Sequence, residues 1–161
     1  MHEKNMPITG IGPRMFRLIL IYCAAIISAA HFGGLDHGIK SIPPRYLHIA
    51  GTILILIGAL YLALSIVTLK NAYKAGRLCT SGVYSMCRNP LYSAWIVFII
   101  PGIMLLLDSW LLLTVPFFMY IALRALIKEE EEFLSDKFGK EYGDYNKKVP
   151  LILPAFWKYK K

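Results

Sequence analysis

Residues 91–127 read LYSAWIVFIIPGIMLLLDSWLLLTVPFFMYIALRALI. Two apolar runs, 91–107 and 110–127, are parted by Asp108 and Ser109 alone. Each is close to the roughly 20 residues that carry a helix across about 30 Å of hydrocarbon. One helix through both would hold Asp108 in mid-bilayer, which is expensive. The two polar residues therefore predict a tight turn between adjacent, antiparallel spanning helices.

Working outward, two more runs of the same kind appear. Residues 15–32 read MFRLILIYCAAIISAAHF and residues 46–69 read YLHIAGTILILIGALYLALSIVTL. The 161 residues are 57% hydrophobic and 17% charged. A disordered chain would show the opposite balance. No ten-residue stretch alternates with period 2, as an outer-membrane barrel needs. The first run is long for the apolar part of a secretory leader and is read as a span. The expectation is a single all-α domain over residues 1–161. It has four transmembrane helices, a tight hairpin between helices 3 and 4, and a cytoplasmic C-terminal helical segment.

Basic residues set the orientation. The connection between the first two spans holds only Lys40 and Arg45, and the hairpin turn holds none. The 70–90 connection carries Lys70, Lys74, Arg77 and Arg88 without an acid. Lys4, Arg14 and Arg17 lie at the start, and a run of lysines closes the chain. Both termini and the 70–90 connection are therefore expected in the cytoplasm, in a cell membrane of prokaryotic type. The net charge of +8 then faces anionic lipid. Nucleic acid is not an expected partner, because no soluble basic domain exists to bind it. Cys23, Cys79 and Cys87 are an odd number with no metal-type spacing, so ordinary thiols are expected. His31, His37 and His48 fall toward the outer side without the spacing of a metal set, and no metal is expected. Pro101 and Pro116 should kink spans three and four. Such kinks either shape the bundle only or open a cleft between the hairpin and span two. Gly51 and Gly58 on span two permit close helix packing.

Three features converge on the inner face. The polar turn Thr80-Ser81-Gly82-Val83-Tyr84 leads into Arg88-Asn89-Pro90-Leu91-Tyr92. Asn is a favoured N-cap and Pro a favoured first helical residue, so Asn89 should cap span three. A helix N-terminus beside a guanidinium suits an anion. A plain capped helix with one interfacial Arg is the blander reading of the same residues. Glu129-Glu130-Glu131-Glu132 then follows span four directly. Such a run is usually a solvated face. Four consecutive residues point all round a helix, so at least one should face the protein and hold a cation. An anion clamp and a cation clamp at one boundary suggest a zwitterionic ligand.

The stretch 80–154 resembles the isoprenylcysteine carboxyl methyltransferase and phospholipid methyltransferase superfamily of integral membrane enzymes. The family pattern is a Gly-Pro-Tyr turn, Arg-His/Asn-Pro-x-Tyr, a helical hairpin, a Glu-Glu pair, Phe-Gly-x-x-Tyr-x-x-Tyr and a final Val-Pro. Here the corresponding residues are Gly82-Val83-Tyr84, Arg88-Asn89-Pro90-Leu91-Tyr92, Glu130-Glu131, Phe138-Gly139-Lys140-Glu141-Tyr142-Gly143-Asp144-Tyr145 and Val149-Pro150. Val83 stands where the pattern has Pro, and Asn89 where the isoprenylcysteine enzymes have His.

The resemblance implies transfer of a methyl group from S-adenosylmethionine to a lipophilic or amphipathic acceptor at the cytoplasmic membrane face. It implies that Arg88, Asn89, Tyr92, Glu130 and Glu131 hold the cofactor, with Gly82 and Tyr84 beside them. Arg88, Glu130 and Glu131 are the catalytic candidates. Arg124 is the candidate contact for an anionic acceptor head. A phospholipid amine or a small thiol is an alternative acceptor to a prenylated cysteine. A non-catalytic membrane scaffold is the reading from another class. A transporter fits less well, since no charge chain crosses the spans and the halves do not repeat.

Overall fold

The computed structural model describes residues 10–34 and 38–154. His37 lies outside the described residues. Among the described residues there is no strand, only an isolated bridge between Gly38 and Ser109. Four helical rods carry the fold. They are α1 (Gly12–Phe32), α2 (Pro44–Lys74), α3 (Pro90–Leu106) and α4 (Thr114–Lys148). Helices α1, α2 and the rod that contains α4 are each long and apolar enough to cross a membrane, and α3 is a shorter apolar helix. The chain is an all-α integral membrane protein.

The bundle is assembled from two contacts. α1 packs on α4, and α2 packs on α3. The second pairing follows from a stripe of small residues. Gly51, Gly58, Ser65 and Ala72 recur every seven positions on α2, and all four are buried. Their spacing keeps them on one side of the helix. The opposite side presents Ile53, Leu56, Leu60, Leu64 and Val67 to the outside, as a lipid-facing surface requires. At the crossing, a Cβ added to Gly51 would lie 2.6 Å from the carbonyl oxygen of Gly102 on α3. One added to Gly102 would lie 2.7 Å from that of Gly51. The two backbones touch where neither has a side chain, which is how helices approach closely without a hydrophobic driving force. Gly51 and Gly58 thus serve packing within the chain. Around Gly51 and Gly58 no cleft separates the hairpin from α2.

Both prolines fall where the helices depart from plain α-helical geometry or begin. α3 runs as α-helix over Pro90–Ser93, widens to a π-helical stretch over Ala94–Ile99, and returns to α-helix over Ile100–Leu106. The N–H of Ile100 reaches back to the carbonyl of Trp95. Pro101 follows at once. Its ring clashes with the carbonyl four residues earlier, and the wider turn relieves that clash without ending the helix. Pro116 falls in the first turn of α4, where a missing N–H costs least.

The hairpin turns at Asp108, whose φ of +50° is rare for a residue with a side chain. Its carbonyl accepts the N–H of Ile39 at 3.0 Å, and its carboxylate meets His48 Nε2 at 3.1 Å. The first connection and the hairpin are thereby tied together at one end of the bundle. α4 is longer than expected. It runs through the glutamates to Lys148, broken only at Gly139, where φ is +52°. An L side chain rarely adopts that conformation. The break turns the last part of the helix back toward the start of α3.

Gly51→Ala should lower stability by about 1–3 kcal/mol, the usual cost of forcing atoms into a packed seam. Gly143→Ala, where an added Cβ meets nothing within 4 Å, should not. Thermal unfolding of both variants in one detergent checks this.

Candidate functional site

The end of the bundle opposite the hairpin holds a pocket of about 360 Å³. Four parts of the chain form it. The last turns of α2 supply Leu69, Ala72 and Tyr73, and the loop after them supplies Arg77, Leu78, Cys79 and Tyr84. The start of α3 supplies Arg88, Asn89 and Tyr92. The extension of α4 supplies Glu130, Glu131 and a wall of Phe133, Phe138, Tyr142 and Tyr145. Gly10, just before α1, completes the lining. The volume lies within the roughly 300–1,000 Å³ of small-molecule sites.

The start of α3 is fixed from the C-terminal side. The N–H of Arg88 donates to the carbonyl of Pro150 at 2.8 Å, and that of Asn89 to Leu151 at 3.1 Å. The Tyr145 hydroxyl donates to the carbonyl of Tyr84 at 2.6 Å, deep in the interior. These three bonds clamp the 80–90 loop onto the end of α4. Pro90 opens α3 as the sequence suggests, and Asn89 holds the N-cap position. The Asn89 side chain, however, caps no backbone N–H. It lines the pocket instead.

The polar groups are arranged in two pairs. Arg88 Nη1 donates to Glu131 Oε1 at 2.6 Å and lies 3.5 Å from the Tyr142 hydroxyl. Arg88 Nε is buried and has no hydrogen-bond partner among the described residues. Tyr92 donates to Glu130 Oε2 at 3.4 Å. The backbone N–H of Ile11 faces the same carboxylate and favours its charged form. Burial pushes the Glu130 carboxyl above the ordinary glutamate range. The bonds from Tyr92 and Ile11 oppose that shift, and the charge of Glu131 adds to it. The other two glutamates face outward. Glu129 is exposed and pairs with Arg14 at 2.6 Å, and Glu132 is exposed.

The structure therefore brings Tyr84, Arg88, Asn89, Tyr92, Glu130 and Glu131 around one pocket. It does not bring Gly82 or Arg124 there. Gly82 opens the turn Gly82–Ser85 and faces Thr68. Arg124 is exposed on α4. Arg88 and the glutamates are not separate clamps, as the sequence suggests: Arg88 and Glu131 hold each other. Reading the sequence also missed Gly10, Ile11, Tyr73 and Phe133. The first two have no local signal, because an isolated Gly-Ile before an apolar run fits any helix entry. Cys79 lines the pocket as a thiol, since burial pushes it up to about 11. That argues against a cysteine nucleophile at neutral pH. Among the described residues, no three of His, Cys, Asp and Glu gather to hold a metal ion.

Comparison with known proteins places these residues in context. The family model described as phospholipid methyltransferase matches residues 46–141, more than half of the chain. The mouse protein-S-isoprenylcysteine O-methyltransferase is 38% identical over 77 residues, which are 48% of this chain and 27% of the mouse protein. The cobalt-zinc-cadmium resistance protein CzcN of Cupriavidus metallidurans is 34% identical over 112 residues, 68% of this chain and 49% of that protein. The chain thus spans between about a quarter and a half of the length of these relatives. No solved structure matches.

A carboxyl whose folded pKa is raised loses its proton later than it does in the unfolded chain. The folded state then holds more protons, and stability falls as pH rises above the ordinary glutamate range. Glu130→Gln should therefore raise the unfolding temperature of the ligand-free protein at pH 7. The gain should shrink as pH falls into the ordinary carboxylate range, and thermal scans at several pH values measure it.

Proposed function

Because this chain belongs to the phospholipid methyltransferase family, we propose that it transfers a methyl group from S-adenosylmethionine to a lipophilic or amphipathic acceptor at the cytoplasmic face of a membrane. The observation that carries the proposal is Arg88 Nε, a buried donor with no acceptor among the described residues, beside a pocket of suitable volume. A buried donor without a partner costs about 1–3 kcal/mol, and a ligand carboxylate would remove that cost. S-adenosylmethionine, when bound, supplies an electrophilic methyl on a cationic sulfur.

The chain's own residues then have distinct tasks. Arg88 takes one carboxylate oxygen through Nε while Nη1 stays with Glu131. Glu131 holds the planar guanidinium in its orientation. Glu130 takes a positively charged amine or the ribose hydroxyls, and Tyr92 holds its carboxylate from the other side. Asn89, which spends no side-chain bond on capping, contributes a donor and an acceptor to the pocket. Tyr73, Phe133 and Phe138 give flat apolar walls for a base or for the acceptor's hydrocarbon part. The site thereby excludes water and aligns the reacting atoms, which supplies much of the rate of an in-line displacement. A carboxylate or thiolate acceptor needs no general base.

The stretch 80–154 carries the reacting groups in this reading, and both termini lie in the cytoplasm. The acceptor is a prenylated cysteine by likeness to the relatives' names, with a phospholipid amine and a small thiol as alternatives. Arg124 stays in the reading only as a contact for an anionic acceptor head at the membrane boundary, since it does not line the pocket.

Calorimetry of S-adenosylmethionine with the purified protein in lipid nanodiscs tests the proposal. Saturable binding is expected. It should weaken roughly tenfold or more in Arg88→Ala and in Glu130→Ala, the size of one charge-assisted hydrogen bond. Absence of binding by folded protein would leave a non-catalytic scaffold of the same fold.

A further inference from the structure

The family match begins at residue 46, yet the segment before α1 touches Glu130. Gly10 has φ +49° and lines the pocket. A Cβ built on it would lie 2.9 Å from Glu130 Oε2 and 3.4 Å from the Tyr92 hydroxyl. The next residue, Ile11, is 1% exposed and is set in the main core with Met15, Val115, Met119 and Leu123. Its backbone N–H faces the Glu130 carboxylate and the Tyr92 hydroxyl and favours the charged form of each. One turn on, Arg14 pairs with Glu129. The backbone at Gly10–Ile11 is therefore anchored on one side by apolar packing. On the other side it lies against the two polar groups that form one half of the pocket.

We infer that the Gly10–Ile11 turn is a positioning element of the site, holding the Glu130 carboxylate in place through the Ile11 amide. Gly10 is bare because a side chain there would occupy the space of that carboxylate. The left-handed conformation at Gly10 brings the amide to it. Glu130 sits on α4 beyond the end of its apolar run. Without the turn it has Tyr92 as a partner at 3.4 Å, a weak bond. A buried carboxylate with one long hydrogen bond would either take up a proton or swing out of the pocket. The turn holds it inward and favours its charged form against the effect of burial. The segment preceding the family match is thus part of the binding machinery, and α1 does more than fill the bundle.

This inference rests on the proposed function for its consequence in binding, but its first test does not. Carbon-13 NMR of labelled glutamate carboxyls follows the titration of Glu130 in ligand-free protein, assigned with Glu130→Gln. Groups facing Glu130 are Tyr92, Glu131, Tyr84 and Tyr142, and all stay unchanged in the variants used. Gly10→Ala should displace the carboxylate from the amide and shift the Glu130 titration upward. Gly12→Ala, where an added Cβ meets nothing within 4 Å, should leave it in place. An unmoved titration in a folded Gly10→Ala protein overturns the inference.

Calorimetry forms the second arm, in a double-mutant cycle. Gly10→Ala should weaken S-adenosylmethionine binding about tenfold, as for loss of one bond to a charged group. In a Glu130→Gln background the same change should cost little. Equal loss in both backgrounds means a general structural effect and also overturns the inference. If the titration shifts but wild-type protein binds no S-adenosylmethionine, the positioning stands and the cofactor reading fails.

Discussion

The guanidinium of Arg88 sits at the start of α3 with 12% of its side chain exposed, 2.6 Å from the carboxylate of Glu131 on α4. Charges in such a place are costly to desolvate, and a partner with good geometry must offset the cost. The pair is reached only because its surroundings are arranged for it. The backbone of Arg88 is tied to Pro150, Tyr142 approaches its Nη1, and the break at Gly139 brings that part of the chain back to the loop. The pairing leaves Nε without a partner among the described residues, which is the feature a bound carboxylate would complete. The C-terminal segment, the 80–90 loop and the glutamate run are thus one unit, held by a single ionic contact and a few backbone bonds.

The membrane part serves this unit by holding the helix ends level. α2 and α3 run side by side because their glycines let the backbones touch. That places the end of α2 beside the start of α3, where the pocket opens. At the far end, Asp108 links the hairpin to His48 and Ile39 and fixes the pairing of the connections. Most apolar side chains on α2 face outward, so lipid completes what the chain leaves uncovered.

Much of this was legible in the residues. Apolar runs near membrane thickness predicted four helices, of which three are long and apolar enough to cross a membrane and one is shorter, and Asp108-Ser109 marked the hairpin between two of them. The ordered motifs from Gly82 to Pro150 mark the family that the matching family model shows. Other features were beyond the sequence for physical reasons. Whether Arg88 meets Glu131 or a ligand depends on a few ångströms between residues far apart in the chain. The glutamates looked like a solvated run. A helix that continues past the membrane puts Glu129 and Glu132 outward while Glu130 and Glu131 face in. Asn89 has the composition of a cap and the position of one, but its side chain lines the pocket. The seven-residue stripe on α2 was visible in principle, though only Gly51 and Gly58 stood out, since Ser65 and Ala72 look unremarkable in an apolar span. The role of Gly10 required a partner on another helix to become visible.

Photolabelling bears most directly on the claim that this pocket receives the methyl donor. Ultraviolet irradiation of the protein in nanodiscs with methyl-labelled S-adenosylmethionine, followed by peptide mapping, locates the bound molecule without an assumed acceptor. Label should fall on peptides covering residues 69–92 and 127–145 and should be lost with excess unlabelled compound. Competable label confined to the hairpin end around Asp108, or no competable label on folded protein, would contradict it.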